Sequence, residues 1–531
     1  MKKNVILFNP VGIVHDRNIQ IFKKLMPEFH FRAIYNPNFS WFSDPAKLSC
    51  DDAVWFGGRL FQRPSREAFD DVKAVILFTA QLRTAQCNLV EEAFLRKIPV
   101  IAVEEVSQMM LSQAAMNNYI LPVDNFFVAS EYEKSEFMKL GVPSSALETV
   151  GGVFRYKKGE TIKKASKSEF GLSESKRVAT LSLDLLAPNG ETPFMRKRIL
   201  EILSKGLTEE YELLVKPHPA ESMATTMKFL RTYAPRARMA PGPTPIDRVL
   251  DVTDILFNRG TSQVIIDAMQ RKIPVVPVPI CRRTIFDGSL DEIIVRDETD
   301  VPRVISIIHE KGVGIYDSLI EAHLSIPPEK SAMNAVSKIR EVIDSGAAGN
   351  EWIKWADLSL FWAWMGYRAK ARRVIERLSA AEYSNPDAED AIKGLVTRRA
   401  GREDLALLKR VVSGAYKENI LKSLWIDMLY SKKMKLSSDD VEWLKDFPPD
   451  TNKFHFLRFA LMLGWLYKRS GFRKEASLLA ESVHGSFGFI KGVSRWSSAI
   501  DKDESVSVAV EWFRERLDHD VKSAVKDFIS R

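Results

Sequence analysis

Cysteine is scarce in this chain: three residues in 531, Cys50, Cys87 and Cys281, far apart and in no metal-ligand spacing. That argues against a disulfide framework and a structural zinc site, and it points to a reducing compartment. Long apolar runs are missing too. No stretch of about eighteen apolar residues occurs, so no membrane-spanning helix is expected. The first apolar run ends at Phe8, too short for a signal peptide, and reads as a strand. A long Lys/Arg run and an RNA-binding aromatic motif are also lacking, so nucleic acid is not an expected partner. No cluster of ligand-type side chains suggests a metal, and no cofactor is expected.

What is present is mildly basic: 77 Lys+Arg against 69 Asp+Glu, a formal charge of +8. Such a balance suits an anionic ligand or a membrane face. The length allows roughly two to four domains. Three regions are read: 1–155, 156–326 and 327–531.

In the first region, residues 5–8, 53–56, 74–78, 100–103 and 126–129 read as strands. They are rich in Val, Ile and Phe without polar alternation, as strands covered on both faces should be. Helical patterns over 17–25 and 85–96 separate them, which is the βαβ order of a parallel, doubly wound sheet. Strand ends carry polar groups: Gly57-Gly58-Arg59, then a segment ending in Arg83, then Glu104-Glu105. Either glutamate is a candidate general base, and a helix cap or a solvated pair is the plainer alternative. Ser130 with Glu133 forms a capping box, Gly141 and Pro143 end that helix, and a short strand enters Gly151-Gly152, a candidate hinge.

The second region repeats the pattern. Residues 178–183 read as a strand with Asp184 at its carboxyl end. An Asx turn ahead of Asn189-Gly190 is the plainer role for that aspartate. Residues 213–215 form the next strand, which Lys216-Pro217-His218-Pro219 stops abruptly. Each proline restricts the residue before it, so His218 is held extended at a strand end beside a lysine. Residues 254–258 are a further strand, running from Asn258 into Arg259-Gly260-Thr261-Ser262-Gln263 and a helix. A guanidinium and two hydroxyls at a helix start suit a phosphate, although Thr261 or Ser262 can equally cap the helix. The two regions also echo one another: residues 92–103 read EAFLRKIPVIAV and residues 267–278 read DAMQRKIPVVPV.

The order of elements over residues 124–152 resembles the end of the first domain in GT-B glycosyltransferases and sugar-nucleotide epimerases. The K-P-H-P strand end followed by the Gly260–Ser262 turn resembles bacterial transferases of CMP-activated acidic sugars, most of all the retaining β-Kdo transferases of capsule and lipopolysaccharide assembly. The resemblance covers about residues 120–290, and the first 120 by architecture only. Teichoic-acid polyol-phosphate transferases share the layout, but they carry His-Gly where this chain has Glu104-Glu105.

The resemblance implies two Rossmann-like domains facing a cleft. It implies CMP-Kdo as donor and a surface glycan as acceptor; the cysteine usage makes a cytoplasmic location the expectation, with at most peripheral contact at the inner membrane face. It implies Asp184 as nucleophile, His218 and Pro219 with Asn258 to Ser262 at the CMP phosphate, and Lys216 or Arg83 at the sugar carboxylate. Glu104 or Glu105 would be the base. A sialyltransferase or a CDP-polyol phosphotransferase is the alternative activity, and a non-catalytic scaffold the alternative class.

From residue 327 the pattern is helical only. Met365-Gly366-Tyr367-Arg368-Ala369-Lys370-Ala371 resembles the turn of a tetratricopeptide-like hairpin, and Ser470-Gly471-Phe472-Arg473-Lys474-Glu475-Ala476 repeats it. Trp352, Trp355, Phe361, Trp362 and Trp364 read as core packing. A helical-repeat domain that binds a protein partner, docks on a membrane or braces the rest is expected. Its last helix, over 506–529, has an apolar side with basic residues between.

Overall fold

The computed structural model describes residues 4–9, 16–35, 48–55, 65–78, 84–103, 122–139, 141–152, 164–184, 193–219, 221–242, 244–260, 262, 264–279, 290–346, 351–378, 385–411, 415–447 and 454–487, with 497 and 500. The first region folds as β1 (Val5–Asn9), α1 (Asp16–Leu25), β2 (His30–Tyr35), β3 (Asp52–Trp55), β4 (Val72–Leu77), α2 (Thr84–Leu95), β5 (Val100–Val103), β6 (Asn125–Val128), α3 (Glu131–Lys139) and β7 (Leu147–Thr149). The seven strands form one sheet in the order β3-β2-β1-β4-β5-β6-β7. All their pairings are parallel.

Both faces of this sheet are apolar, which is why its strands show no polar alternation. Ile6, Phe8, Ile76, Phe78, Ile101 and Phe127 point to one face, and Leu7, Val75, Leu77, Val100 and Val128 to the other. The sequence reading assigns no strand over β2. His30 and Arg32 interrupt its apolar run, and Asp52 of the neighbouring strand accepts from both, at 3.0 Å in each case.

The second sheet comprises β8 (Arg177–Ser182), β9 (Tyr211–Lys216), β10 (Arg238–Met239), β11 (Ile255–Asn258) and β12 (Val275–Pro277), ordered β10-β9-β8-β11-β12 and again parallel. Its helices are α4 (Pro193–Gly206), α5 (Met223–Tyr233), α6 (Ile246–Leu250), α7 (Val264–Gln270), α8 (Asp300–Lys311) and α9 (Asp317–Leu324). Two Rossmann-like parallel sheets in tandem, followed by helices, are therefore the architecture.

The sequence echo occupies one position in both sheets. Ile98 donates to the Ala93 carbonyl and Ile273 to the Ala268 carbonyl, both at 3.0 Å. Lys97 and Lys272 stand left-handed between them, with φ of 56° and 57°. Each copy closes the helix after the fourth strand of its sheet and leads into the fifth, where the strands pair with β4 and β11.

Residues 328–345, read from sequence as the head of the helical region, form α10 (Pro328–Ser345) and cover the first sheet. Ala335, Val336, Ile339 and Val342 pack with Phe8, Phe22 and Phe127. Chain leaving β7 and chain returning into α10 meet at Gly151. Its φ is +93°, and a Cβ there would run into Ser331 and come within 2.9 Å of the Ile326 side chain. Close approach accounts for this glycine.

Of the remaining helices, α11 (Glu351–Trp364) pairs as a hairpin with α12 (Arg368–Leu378) and α13 (Pro386–Val396) with α14 (Arg402–Val411); α15 (Ala415–Ser431) meets α16 (Ser438–Leu444) through hydrogen bonds from Trp425 to Asp440 and from Trp443 to Glu418, and packs on α17 (Phe454–Ser470), which pairs with α18 (Arg473–Phe487). They share one core with the first sheet. Trp355, Phe361, Trp362 and Trp364 belong to the same buried cluster as Leu7, Val90, Ala93 and Phe137. Lys370 ties the join, 3.1 Å from Glu91 and with its ammonium 3.7 Å from the Trp362 ring centre. A desolvated cation–π contact of this kind contributes about 2 kcal/mol. Lys354 pairs with buried Asp124 nearby. The expected helix over 506–529 lies outside the described residues. Among those described, no helix is long and apolar enough to cross a membrane.

Candidate active site

In the second sheet the chain runs from β8 outward through β9 to β10, then returns to build β11 and β12 on the other side of β8. Strand order therefore reverses between β8 and β11, and ligands in open α/β sheets bind outside the carboxyl ends at such a point. Register brings three strand ends level. Ser182 lies opposite Lys216, and Leu181 opposite Phe257. Asp184 thus leaves the sheet between His218 on one side and Arg259 on the other.

Asp184 and Arg259 meet directly. Arg259 Nη1 donates to Asp184 Oδ2 at 3.0 Å, with the arginine 1% exposed and the aspartate side chain 19% exposed. Asn258 sets the turn that allows this. Its amide donates to the Ser182 carbonyl at 3.1 Å, and its Oδ1 accepts from Gly260 N at 2.9 Å. Gly260 has a φ of 86°, which a residue with a Cβ adopts only under strain. Among the described residues, neither Nε nor Nη2 of Arg259 has a hydrogen-bond partner. A buried polar nitrogen left in that state costs about 1–3 kcal/mol.

A second guanidinium braces the same aspartate from behind. Arg196, fully buried on α4, donates to the Asp184 carbonyl at 2.8 Å and pairs with Glu221, which also accepts from Thr226 Oγ1 at 2.8 Å. Its guanidinium lies 5.6 Å from the Phe229 ring centre. Sequence reasoning missed both Arg196 and Glu221. The signal was available, because Arg196 falls in the buried stripe with Ile199, Leu200 and Leu203, at i, i+3, i+4 and i+7. A charge in that register is a buried charge and must have partners.

Lys216 is 5% exposed, and its ammonium donates to the Pro217 carbonyl at 2.8 Å. No carboxylate pairs with it among the described residues. Burial pulls its pKa below the ordinary lysine value. His218 is half-buried. Burial holds its imidazole below the ordinary value, with Lys216 and Arg196 adding to that, against the upward pull of Asp184 and Glu221. Glu221 N donates to the His218 carbonyl at 2.9 Å, closing the turn that Pro219 makes, and Pro219 itself is exposed. Ser262 is half-buried before α7, where its Oγ accepts from Val264 N at 3.5 Å, a weak version of the capping alternative. Glu104, Glu105, Arg83 and Thr261 lie outside the described residues, as do Gly57-Gly58-Arg59 and Asn189-Gly190.

The structure thus gathers a carboxylate, an imidazole, a buried ammonium and a guanidinium with an unused edge around one sheet edge. Such a set can bind an anion and offer a carboxylate to an electrophilic carbon beside it.

No family model matches the chain, and no curated protein does. Among solved structures it is similar to the wall teichoic acid polymerase TagF, at 12% identity and a TM-score of 0.41, over 64% of this chain and 89% of that one. It is similar to the S. aureus MnaA–UDP co-structure at 10% identity and a TM-score of 0.48, over 65% and 97%. It is also similar to a UDP-glucosyltransferase from Polygonum tinctorium at 13% identity and a TM-score of 0.42, over 65% and 99%.

Proposed function

We propose that the chain is a glycosyltransferase that transfers an acidic sugar, Kdo, from CMP-Kdo to a bacterial surface glycan with retention of configuration. The observation that carries this reading is the Asp184–Arg259 pair at the reversal of strand order, with His218 at the adjacent strand end. In the first displacement a carboxylate oxygen of Asp184 attacks the anomeric carbon. The bond from that carbon to the CMP phosphate oxygen breaks, and the electron pair leaves with CMP. In the second, the acceptor hydroxyl oxygen attacks the same carbon, the ester to Asp184 breaks, and Glu104 or Glu105 takes the proton. The carboxylate is regenerated and the inverted centre inverts back.

His218, with its depressed pKa, serves as a neutral N–H donor to the leaving phosphate. Lys216 or Arg83 pairs with the sugar carboxylate, while Gly260, Thr261 and Ser262 line the phosphate turn. No metal is assigned a step.

Replacing Asp184 with Ala should lower transfer by about 10³-fold or more while CMP binding persists. Full transfer activity in that variant, measured with CMP-Kdo and a glycan acceptor, would remove the nucleophile role. The rival donors, CMP-sialic acid and CDP-polyols, are separated by thermal shift with CMP, CDP and UDP, since a bound nucleotide raises stability as ln(1 + [L]/Kd). Absence of binding to any nucleotide would favour a scaffold whose helices recruit a protein partner.

A further inference from the structure

Arginine presents donors in a fixed planar fork, and the Nε–Nη2 edge offers two parallel N–H bonds to an anion. This chain shows that edge in use elsewhere. Arg398 Nε donates to Asp427 Oδ2 at 3.0 Å and its Nη2 to Asp427 Oδ1 at 3.2 Å. Arg32 grips Asp52 in the same way, with Nε at 3.0 Å and Nη2 at 3.2 Å. In Arg259 the corresponding edge has no partner among the described residues, although the residue is 1% exposed. Its Nη1 is engaged, on Asp184. Two orphaned donors on one edge of a buried guanidinium, at the end of a central strand, are donors held for a ligand.

We infer that Arg259 couples the donor's anion to Asp184: Nη1 holds the carboxylate, and the Nε–Nη2 edge receives an anionic oxygen pair of the donor. The inference rests on the donor reading above for the identity of the anion, the phosphate of CMP, and adds a positioning role toward Asp184. Both nitrogens are buried. Two anions then share one cation. Their mutual repulsion is the cost of placing a nucleophile beside a phosphate, and Arg259 offsets it. Asp184 and the bound phosphate must therefore oppose each other's binding to Arg259. Replacing a merely structural arginine would leave that opposition unchanged.

The test is calorimetric titration of the full chain with CMP, cytidine and inorganic pyrophosphate. Arg259→Lys keeps the charge and loses the edge. It should weaken CMP by about 10- to 100-fold, while cytidine, which lacks the phosphate, changes little. Asp184→Asn should tighten CMP by several-fold, and the gain should be larger in the Arg259→Lys background, where the fork no longer offsets the repulsion. Equal weakening of CMP and cytidine in Arg259→Lys overturns the inference, as does unchanged CMP affinity in Asp184→Asn. If Arg259→Lys fails to fold, the Asp184→Asn comparison decides alone. Pyrophosphate binding that depends on Arg259, in a chain that takes no CMP, would sustain the coupling and discard the nucleotide donor. Sugar transfer from CMP-Kdo without the coupling would do the reverse. A chain that binds neither CMP nor pyrophosphate overturns it.

Discussion

Two buried arginine–aspartate clusters in this protein are built from the same parts and finished differently. In the helical region, Asp427 accepts both N–H groups of the Arg398 edge and also pairs with Arg368 Nη2, while Arg368 Nη1 donates to the Leu395 and Val396 carbonyls. At the second sheet, Asp184 takes one nitrogen of Arg259, and the arginine keeps two donors unspent. A buried ion pair by itself is weak evidence of a site, since closed pairs occur in purely structural places. The informative feature is the unspent donor, and its position at the switch of strand order is what connects it to ligand binding.

The contrast can be broken by stability measurements. Asp427→Asn takes the buried carboxylate from two half-buried guanidiniums and should cost about 2–3 kcal/mol in urea unfolding. Asp184→Asn should cost about 1–2 kcal/mol, because the amide oxygen still accepts from Arg259 Nη1. Equal losses would mean that both clusters serve the fold alone.

Acid sharpens the same comparison. Burial pushes the Asp427 carboxyl up, but Arg368, Arg398 and Arg458 outweigh it and hold it below its ordinary value. A carboxyl depressed in the folded state contributes stability that is complete above its unfolded value, near pH 4, and drains away as pH falls through the folded one. The gap between wild type and Asp427→Asn should therefore be full at pH 7 and pH 5 and narrower at pH 3. A constant gap would mean that the pair is not electrostatic.

The smallest expected effect compares the two sheets instead. Lys97 and Lys272 hold the left-handed position in the same turn, so Lys97→Gly and Lys272→Gly should each stabilise by about 0.5–1 kcal/mol. Unequal shifts in thermal unfolding would show that the two turns are less alike than their backbones.

The same backbone device separates turns that the sequence marks from turns that it does not. Gly366 and Gly471 both have a φ of 91°, and Tyr367 and Phe472 each donate back five residues, to the Trp362 and Tyr467 carbonyls at 2.8 and 2.9 Å. Those two hairpin turns are legible because glycine marks them. Between them, Arg398 and Lys433 take φ of 60° and 54°, and Arg399 and Met434 make the same five-residue bond, to the Gly394 and Leu429 carbonyls. No glycine marks these two turns, and an arginine or lysine in that conformation leaves no trace in sequence. Packing imposes it against an intrinsic cost of about 1–2 kcal/mol per residue.

The sequence by itself determined the two parallel sheets, through apolar runs covered on both faces. It also placed Asp184, His218 and Arg259 at three strand ends, because proline, glycine and a change of pattern stop a strand locally. Only the tertiary structure decided how those ends relate. Strand order set Asp184 between the other two, Asn258 and Gly260 turned Arg259 onto it, and Arg196 reached it from α4. It also decided that the helical tail and the first sheet share one core. Periodicity states which face of an element is apolar, and partners distant in the chain determine what covers that face and which donors remain unspent.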